Sequence, residues 1–97
     1  MKDKLGQTIA LGDLVVFSPH YDDLRVGRIE SRHTWRGLND IRLLLRAVHR
    51  TQRGLETYVT CELASTVVRI SAIPPQMRRA LDKPLTLALH LQLRPDR

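Results

Sequence analysis

The stretch that decides the fold spans residues 5–17 and reads LGQTIALGDLVVF. Its middle, Gly12-Asp13, has the composition of a tight turn, because glycine tolerates a positive φ and aspartate accepts hydrogen bonds from nearby backbone amides. The apolar run at residues 14–17 predicts a first core strand, which we expect to end at the following Ser-Pro pair. The stretch therefore predicts a turn that leads directly into a buried strand.

The length and composition fit one soluble domain with a modest core. The chain has 97 residues, of which 42% are hydrophobic and 27% are charged, and this length suits a single domain. Only 4% of the residues are aromatic, so we expect a core of Leu, Val and Ile. The single cysteine, Cys61, excludes an intramolecular disulfide and a cysteine zinc cluster.

Nothing in the sequence points to a membrane or to secretion. No apolar run approaches the roughly 20 residues of a membrane-spanning helix, so we expect no membrane partner. Three of the first four residues are charged, and they lead into no signal-peptide core. We therefore predict a protein that acts in a reducing cytoplasm, either its own cell's or a host's.

The positive charge is concentrated in the middle of the chain. Sixteen Lys and Arg against ten Asp and Glu give a net charge of +6. Residues 25–53 contain eight arginines and two acids, which leaves a surplus of six in this segment alone. Arginine binds phosphate and carboxylate groups through paired hydrogen bonds, so this segment suits nucleic acid or an acidic protein surface. A solvated face without a ligand is the alternative.

Residues 24–33 are predicted to form a long second strand. The glycine inside it, Gly27, is typical of a bulge or sharp bend, which small barrels need where one strand serves both sheets. Residues 34–40 contain Gly37 and Asn39 and are predicted to form a loop.

The segment at residues 41–50 is compatible with two structures. As a strand it places Ile41, Leu43, Leu45 and Ala47 on one face, and the other face holds Arg42, Leu44, Arg46, Val48 and Arg50. As a helix it has an apolar stripe, a plausible N-cap at Asn39 and a plausible stop at Gly54. We prefer the strand, because residues 52–54 then form a hairpin turn into the next strand.

That next strand, at residues 55–63, alternates well. The positions predicted to face inward are Thr57, Val59, Cys61 and Leu63, and those predicted to face outward are Tyr58, Thr60 and Glu62. After a tight turn, residues 66–70 supply a fifth strand. Five short strands with glycine-marked corners predict a mainly β protein, a small antiparallel barrel.

The spacing of glycine, aspartate and apolar residues resembles that of the SH3-like small barrels of the KOW and Tudor type. The residues that carry the resemblance are Asp3, Gly6, Ile9, Gly12, Asp13, Val15, Gly27 and Ile29. Over about residues 3–71 the chain is most similar to the short SH3-like proteins of unknown role from tailed-phage genomes. The resemblance implies a five-stranded SH3-like barrel, and related barrels bind RNA, DNA, ribosomal surfaces, RNA polymerase or peptide tails. The aromatic cage of a methyl-lysine reader is lacking.

The chain after residue 71 departs from that pattern. Pro74-Pro75 ends the barrel, and Pro75 suits the first position of a short helix at residues 76–81. Alternate positions are then occupied by leucine, namely Leu85, Leu87, Leu89, Leu91 and Leu93. This period predicts a strand that packs on the barrel or on a second copy of the chain, forming a homo-oligomer. We therefore divide the chain into a barrel at residues 3–71 and a C-terminal extension at residues 72–97.

The sequence contains no motif for catalysis, metal binding or cofactor binding. The loop at residues 20–23 offers too few ligands for zinc or a hard cation. There is no nucleophile elbow and no phosphate-binding glycine loop. Cys61 is expected to be a small buried thiol. We predict that the protein is not an enzyme and has no catalytic residue, metal site or cofactor.

The arginines remain as candidate binding residues. In a strand, Arg42, Arg46 and Arg50 share one face, with about 13 Å between successive members. The full set proposed for binding nucleic acid or an acidic partner is Arg28, Arg32, Trp35, Arg36, Arg42, Arg46, Arg50 and Arg53. Trp35 either stacks on a base beside a guanidinium group or closes one end of the barrel.

Three functions are compatible with these residues. The preferred hypothesis is a small basic module that binds nucleic acid or a ribonucleoprotein through its arginine-rich face. The second is a phage-type accessory protein that binds and modulates an acidic host or defence protein in the host cytoplasm. The third is a structural subunit that self-assembles through its leucine-rich strand.

Overall fold

Five strands, a 3₁₀-helix and one α-helix make up the described part of the chain. The computed structural model describes residues 1–20, 23–34 and 41–83. In chain order the elements are β1 (Leu14–His20), β2 (Asp23–Thr34), β3 (Ile41–Thr51), β4 (Gly54–Leu63), a 3₁₀-helix (Ala64–Thr66), β5 (Val68–Ile70) and α1 (Pro75–Asp82). The leucine-rich segment at residues 85–93 lies outside the described residues.

The strands form one antiparallel sheet in the order β4-β3-β2-β1-β5. The predicted mainly β class is confirmed. Residues 41–50 are strand rather than helix, because β3 is paired along both edges, with β2 on one side and β4 on the other. This pairing outweighs the helix propensity of its leucines.

One face of the sheet covers the main core, and we call it the inner face. β3 alternates as predicted, with Leu43, Leu45 and Ala47 fully buried on this side. The buried members of the cluster are Ile9, Val15, Phe17, Ile29, Leu43, Leu45, Ala47, Ala64 and Val67. Apart from Phe17 they are aliphatic, as the composition predicted.

The opposite face, which we call the outer face, is covered in part by α1. The helix lies against β2, β3 and β4, and its Ala80 and Leu81 pack with Leu14 and Val48 in a second buried cluster. Pro75 is its first residue, as predicted. In the described ranges, no helix is long and apolar enough to cross a membrane.

The irregularity in β2 lies at Glu30 and not at Gly27, where it was predicted. Pairing with β3 is regular up to Ile29 and resumes at Ser31 with a shift of one residue, so Glu30 is the extra residue of a bulge. Beyond the bulge, each residue of β2 lies on the face of the sheet opposite to the one that regular alternation would give it.

Gly27 is required by close packing instead of by a bulge. A Cβ atom at this position would lie 3.2 Å from the backbone oxygen of Arg46 and 3.3 Å from Cε1 of Phe17. Both distances are tighter than an ordinary van der Waals contact. The glycine therefore lets the Phe17 ring pack directly on the backbone of β2.

β1 continues through the Ser-Pro pair that was expected to end it. It runs to His20, and its pairing with β2 becomes irregular between Phe17 and His20. A proline cannot donate a ladder hydrogen bond, and such residues are tolerated at bulges and irregular pairings. The prediction of the strand was correct, and the predicted end was three residues too early.

A buried carboxylate ties the N-terminal segment to β5. Asp3 is 5% exposed, and it accepts hydrogen bonds from the backbone N–H groups of Leu5 at 2.9 Å, Gln7 at 2.8 Å and Arg69 at 2.7 Å. Gly6, inside the turn, has a φ of 79°, which residues with a side chain rarely adopt. These contacts explain the spacing Asp3-x-x-Gly6.

The faces of β4 are the reverse of those predicted. Tyr58, expected outward, pairs with Ala47 and packs against the inner core cluster. Cys61, expected to be a buried thiol, is exposed. β4 lies at the edge of the described sheet, and none of its ten residues is fully buried. Its alternation therefore carried no clear signal of which face meets the core.

Candidate functional site

Four of the predicted arginines are grouped on the outer face of the sheet. Arg42, Arg46 and Arg50 alternate along β3 with the buried residues of the inner face. Arg28 of β2 is the cross-strand partner of Arg46. The period of two therefore predicted the grouping of these residues, but it did not predict how accessible each one is.

Arg46 is buried beneath the C-terminal end of α1. The residue is only 4% exposed, and its Nη2 donates hydrogen bonds to the backbone oxygens of Lys83 at 2.6 Å and Ala80 at 3.4 Å. Arg46 belongs to the predicted binding set, but in this structure it is not accessible. The reason is that α1 crosses the sheet at this position and covers the guanidinium group.

Arg28 is also engaged inside the molecule. Its Nε donates to Glu30 at 3.0 Å, and its Nη1 donates to Asp82 at 3.0 Å. Its Nη2 donates to the backbone oxygen of Leu81 at 3.1 Å. The half-buried guanidinium group thus joins the bulge of β2 to the end of α1.

Together the two guanidinium groups cap the C-terminus of α1. The last carbonyl groups of a helix lack donors within the helix and carry the negative end of its dipole. Arg46 and Arg28 supply N–H groups to the carbonyls of Ala80, Leu81 and Lys83. Two residues from the arginine-rich segment therefore stabilise the docked helix in this conformation.

The environment of Arg46 is electrostatically unfavourable. Among the described residues no carboxylate lies within ion-pair distance of it, and its Nε is buried without a hydrogen-bond partner. Burial lowers the pKa of Arg46, and the charge of Arg28 lowers it further, while Glu30 and Asp82 act in the opposite direction. Arginine remains protonated in proteins, so a buried cation lies directly beside another cation.

Arg32 does not share a face with Arg28, although regular strand alternation would place the two residues on the same side. The bulge at Glu30 intervenes, and Arg32 is the cross-strand partner of the inner-face residue Leu43. Arg32 lies near the end of the strand and is exposed there. It therefore points away from the outer-face arginines.

Arg50 and Arg53 are the exposed members of the candidate set near the outer face. They flank the turn between β3 and β4, and neither forms an ion pair with another described residue. Arg42 is partly buried near the other end of β3. Trp35 and Arg36 lie outside the described residues.

A cluster around Arg25 was missed by the sequence analysis. Arg25 Nε pairs with Asp23 at 2.8 Å, and Nη1 donates to the Tyr58 hydroxyl at 2.9 Å. The hydrogen bonds to Tyr58 and Asp23 raise the pKa of Arg25. The Tyr58 ring also meets the His49 ring edge-on, with centroids 4.8 Å apart. No local signal in the sequence indicates that residues 25 and 58 meet, because they lie on strands that are not neighbours.

A small cleft opens where β2 and β3 separate. Their pairing ends at Val26 and Val48, after which β2 continues beside β1 and β3 continues beside β4. The cleft has a volume of about 190 Å³, and its lining includes Leu24, Met77 and Arg50. Leu24 is 75% exposed. This end of the sheet therefore combines an apolar side chain with unpaired positive charge.

The exposed thiol of Cys61 lies beside Arg42 but is not activated by it. Cys61 and Arg42 line a shallow depression on the sheet, and desolvation raises the pKa of Cys61 despite the nearby positive charge of Arg42. A thiol with a raised pKa is a poor nucleophile. In the part of the chain that the structure describes, no three His, Cys, Asp or Glu residues are grouped to hold a metal ion.

Comparison with known proteins finds one partial similarity. A family described as "Domain of unknown function (DUF7205)" matches residues 1–32, about a third of the chain. The match covers the N-terminal turn with Asp3, β1 and most of β2. No curated protein matches the chain, and no solved structure does.

Proposed function

We propose that the protein is a small non-enzymatic module with an SH3-like barrel, and that it binds nucleic acid or a ribonucleoprotein through its exposed arginines. Three features support the barrel. The meander from β1 to β4 is completed by β5, which returns to pair with β1. A 3₁₀-helix precedes β5. The long β2 carries the bulge that a strand shared between two halves of a barrel needs.

The observation that carries the binding proposal is the pair of exposed arginines, Arg50 and Arg53, at the turn between β3 and β4. Of the acids at this end of the sheet, Asp23 is paired with Arg25, and Glu56, which is exposed on β4, forms no ion pair with Arg50 or Arg53. Unpaired guanidinium groups attract phosphate over long distances and bind it through parallel hydrogen bonds. The Arg25, Tyr58 and His49 cluster lies at the same end of the sheet but on the side of the inner face, so the binding proposal does not rest on it.

Fluorescence anisotropy with labelled single-stranded and duplex oligonucleotides at low salt tests this proposal. We expect the double variant Arg50→Glu, Arg53→Glu to bind at least about tenfold more weakly than wild type, because two phosphate contacts become repulsive. Arg32→Glu is the matched control for each single variant, Arg50→Glu and Arg53→Glu, since it makes the same charge change at an exposed position on the other face, and we expect a smaller loss. If wild type binds neither oligonucleotide up to about 100 μM protein, where non-specific DNA binding is normally detectable, the proposal is wrong.

A second candidate, an acidic protein partner, is favoured by the cleft. The exposed Leu24 lies beside Met77 and Arg50 in its lining. Nucleic acid needs no apolar side chain there, whereas a protein segment with neighbouring apolar and acidic residues would use all three. The phage-type accessory role belongs to this candidate. Self-association through residues 85–93 is a third possibility and stays a prediction, because that segment lies outside the described residues.

A further inference from the structure

The contacts that hold α1 on the outer face resemble those that a bound anion would make. Oxygen atoms of Ala80, Leu81, Asp82 and Lys83 accept hydrogen bonds from two arginine side chains, at distances from 2.6 to 3.4 Å. The phosphate groups of a nucleic acid present oxygen atoms to arginine in the same way. The end of the helix therefore occupies donors that a polyanion would otherwise use.

The helix satisfies these donors incompletely. The Nε of Arg46 has no partner although it is buried, and the oxygens that Arg46 contacts belong to neutral peptide groups. Arg28 lies directly across the strand from it, and like charges in this position repel each other. A phosphate would bring a full negative charge and several acceptors to the same place. A phosphate would thus offer Arg46 a charged acceptor that the helix end lacks.

α1 is short and is anchored by few residues. It has eight residues, its N-terminus has no side-chain cap, and Ala80 and Leu81 are its buried residues. Helices of this length are unstable on their own in water and depend on packing. Besides Ala80 and Leu81, α1 is held by the partly buried Met77 and by the hydrogen bonds of Arg28 and Arg46 to its C-terminal end. A short element of this kind opens locally at a lower free energy than the whole domain unfolds.

We propose that α1 is a displaceable cover over a larger polyanion-binding face. Nucleic acid that first contacts the exposed Arg50 displaces the helix end and then binds Arg46 and Arg28. The inference rests on the function proposed above and extends it to arginines that are covered in the free protein. Arg42 to Arg50 spans about 26 Å along β3, which corresponds to about eight phosphates along one strand of a duplex.

Amide hydrogen exchange of residues 75–83 measures the displacement directly. With a saturating 12-nucleotide single strand, we expect exchange in this segment to become at least about tenfold faster, while exchange in β3 stays slow. Unchanged or slower exchange in α1 while the oligonucleotide is bound would show that the helix stays in place, and the inference would be wrong.

The variant Leu81→Ala gives an independent test, because it weakens the docking of α1. Displacing α1 from the sheet then costs less free energy, and we expect oligonucleotide affinity to rise about five- to tenfold over wild type. Gln76→Ala is the matched control, an uncharged change at an exposed position of the same helix, where affinity should not change. If Leu81→Ala does not fold, as judged by its melting transition, Met77→Ala replaces it as a milder change at a partly buried position.

The possible outcomes separate the inference from the proposed function. If wild type binds and Leu81→Ala binds equally or less tightly, the proposed function stands and the cover is refuted. If neither protein binds an oligonucleotide, both proposals fail together. Binding of an acidic peptide but of no oligonucleotide would also overturn the inference and would assign the face to a protein partner.

Discussion

Replacing Asp3 with alanine is expected to lower the free energy of unfolding by about 3–5 kcal/mol. The carboxylate accepts hydrogen bonds from three backbone N–H groups, those of Leu5, Gln7 and Arg69. Alanine leaves these donors without their acceptor at a site that is 5% exposed, and each buried unsatisfied donor costs about 1–3 kcal/mol. Urea unfolding followed by circular dichroism measures the change.

Asp13→Ala is the matched control for this prediction. Asp13 also accepts a backbone hydrogen bond, from Ala10 at 2.9 Å, but this contact is a single one at an exposed site. We expect Asp13→Ala to lower the free energy of unfolding by about 0.5–1.5 kcal/mol. Equal losses for the two variants would contradict the role of Asp3 in tying the N-terminal segment to β5.

The contribution of Asp3 to the free energy of unfolding should also depend on pH. Burial on its own raises the pKa of Asp3, but the hydrogen bonds from the Arg69, Gln7 and Leu5 amides outweigh it, and the pKa in the folded protein is lowered. A carboxylate of this kind stabilises the fold above its unfolded-state pKa of about 3.9. That stability is lost as the pH falls through the lower folded-state pKa. The stability difference between wild type and Asp3→Ala should therefore shrink below about pH 4.

The second large effect is expected at Phe17. This ring is 2% exposed and packs in the inner-face cluster against the backbone at Gly27. Removing a buried phenylalanine side chain costs about 3–5 kcal/mol, through lost burial and the cavity that remains. We expect Phe17→Ala to lower the free energy of unfolding by this amount in chemical denaturation.

Leu24→Ala serves as the control for Phe17→Ala, because it also shortens a large apolar side chain. Leu24 is 75% exposed, and surface substitutions usually change stability by less than about 0.5 kcal/mol. A loss below about 1 kcal/mol at Phe17 would mean that the ring is not part of a close-packed core. The role assigned to Gly27 would then also be wrong.

The core-facing residues could be predicted for a strand that is buried on one face and paired along both edges. In β3, Leu43, Leu45 and Ala47 follow the period of two and face the core, as predicted. β4 has equally clear alternation, but it lies at the sheet edge with no fully buried residue. Its register with β3 determines its faces, and register is a long-range property that local alternation does not contain.

The arginines show the same limit of prediction from local patterns. Their parity on β3 was correct, because it depends on strand geometry alone. The covering of Arg46 could not be predicted, since the helix that covers it begins at residue 75 and its docking depends on tertiary packing. Regular alternation would place Arg32 on the same face as Arg28, but the bulge at Glu30 moves it to the other face. Glutamate carries no bulge signal. Gly27 does carry one, but close packing is what requires glycine there.

Measuring the salt dependence of oligonucleotide affinity tests most directly whether the outer-face arginines bind nucleic acid. On duplex DNA the logarithm of the affinity should fall linearly with the logarithm of salt concentration, with a slope near −0.9 per phosphate contact. Contacts by Arg50 and Arg53 predict a slope of about −1.8 or steeper, and the further contacts of Arg28 and Arg46 extend it to about −3.6. Arg50→Ala should make the slope shallower by about 0.9. A slope near zero, or one that Arg50→Ala leaves unchanged, would contradict nucleic-acid binding through these arginines.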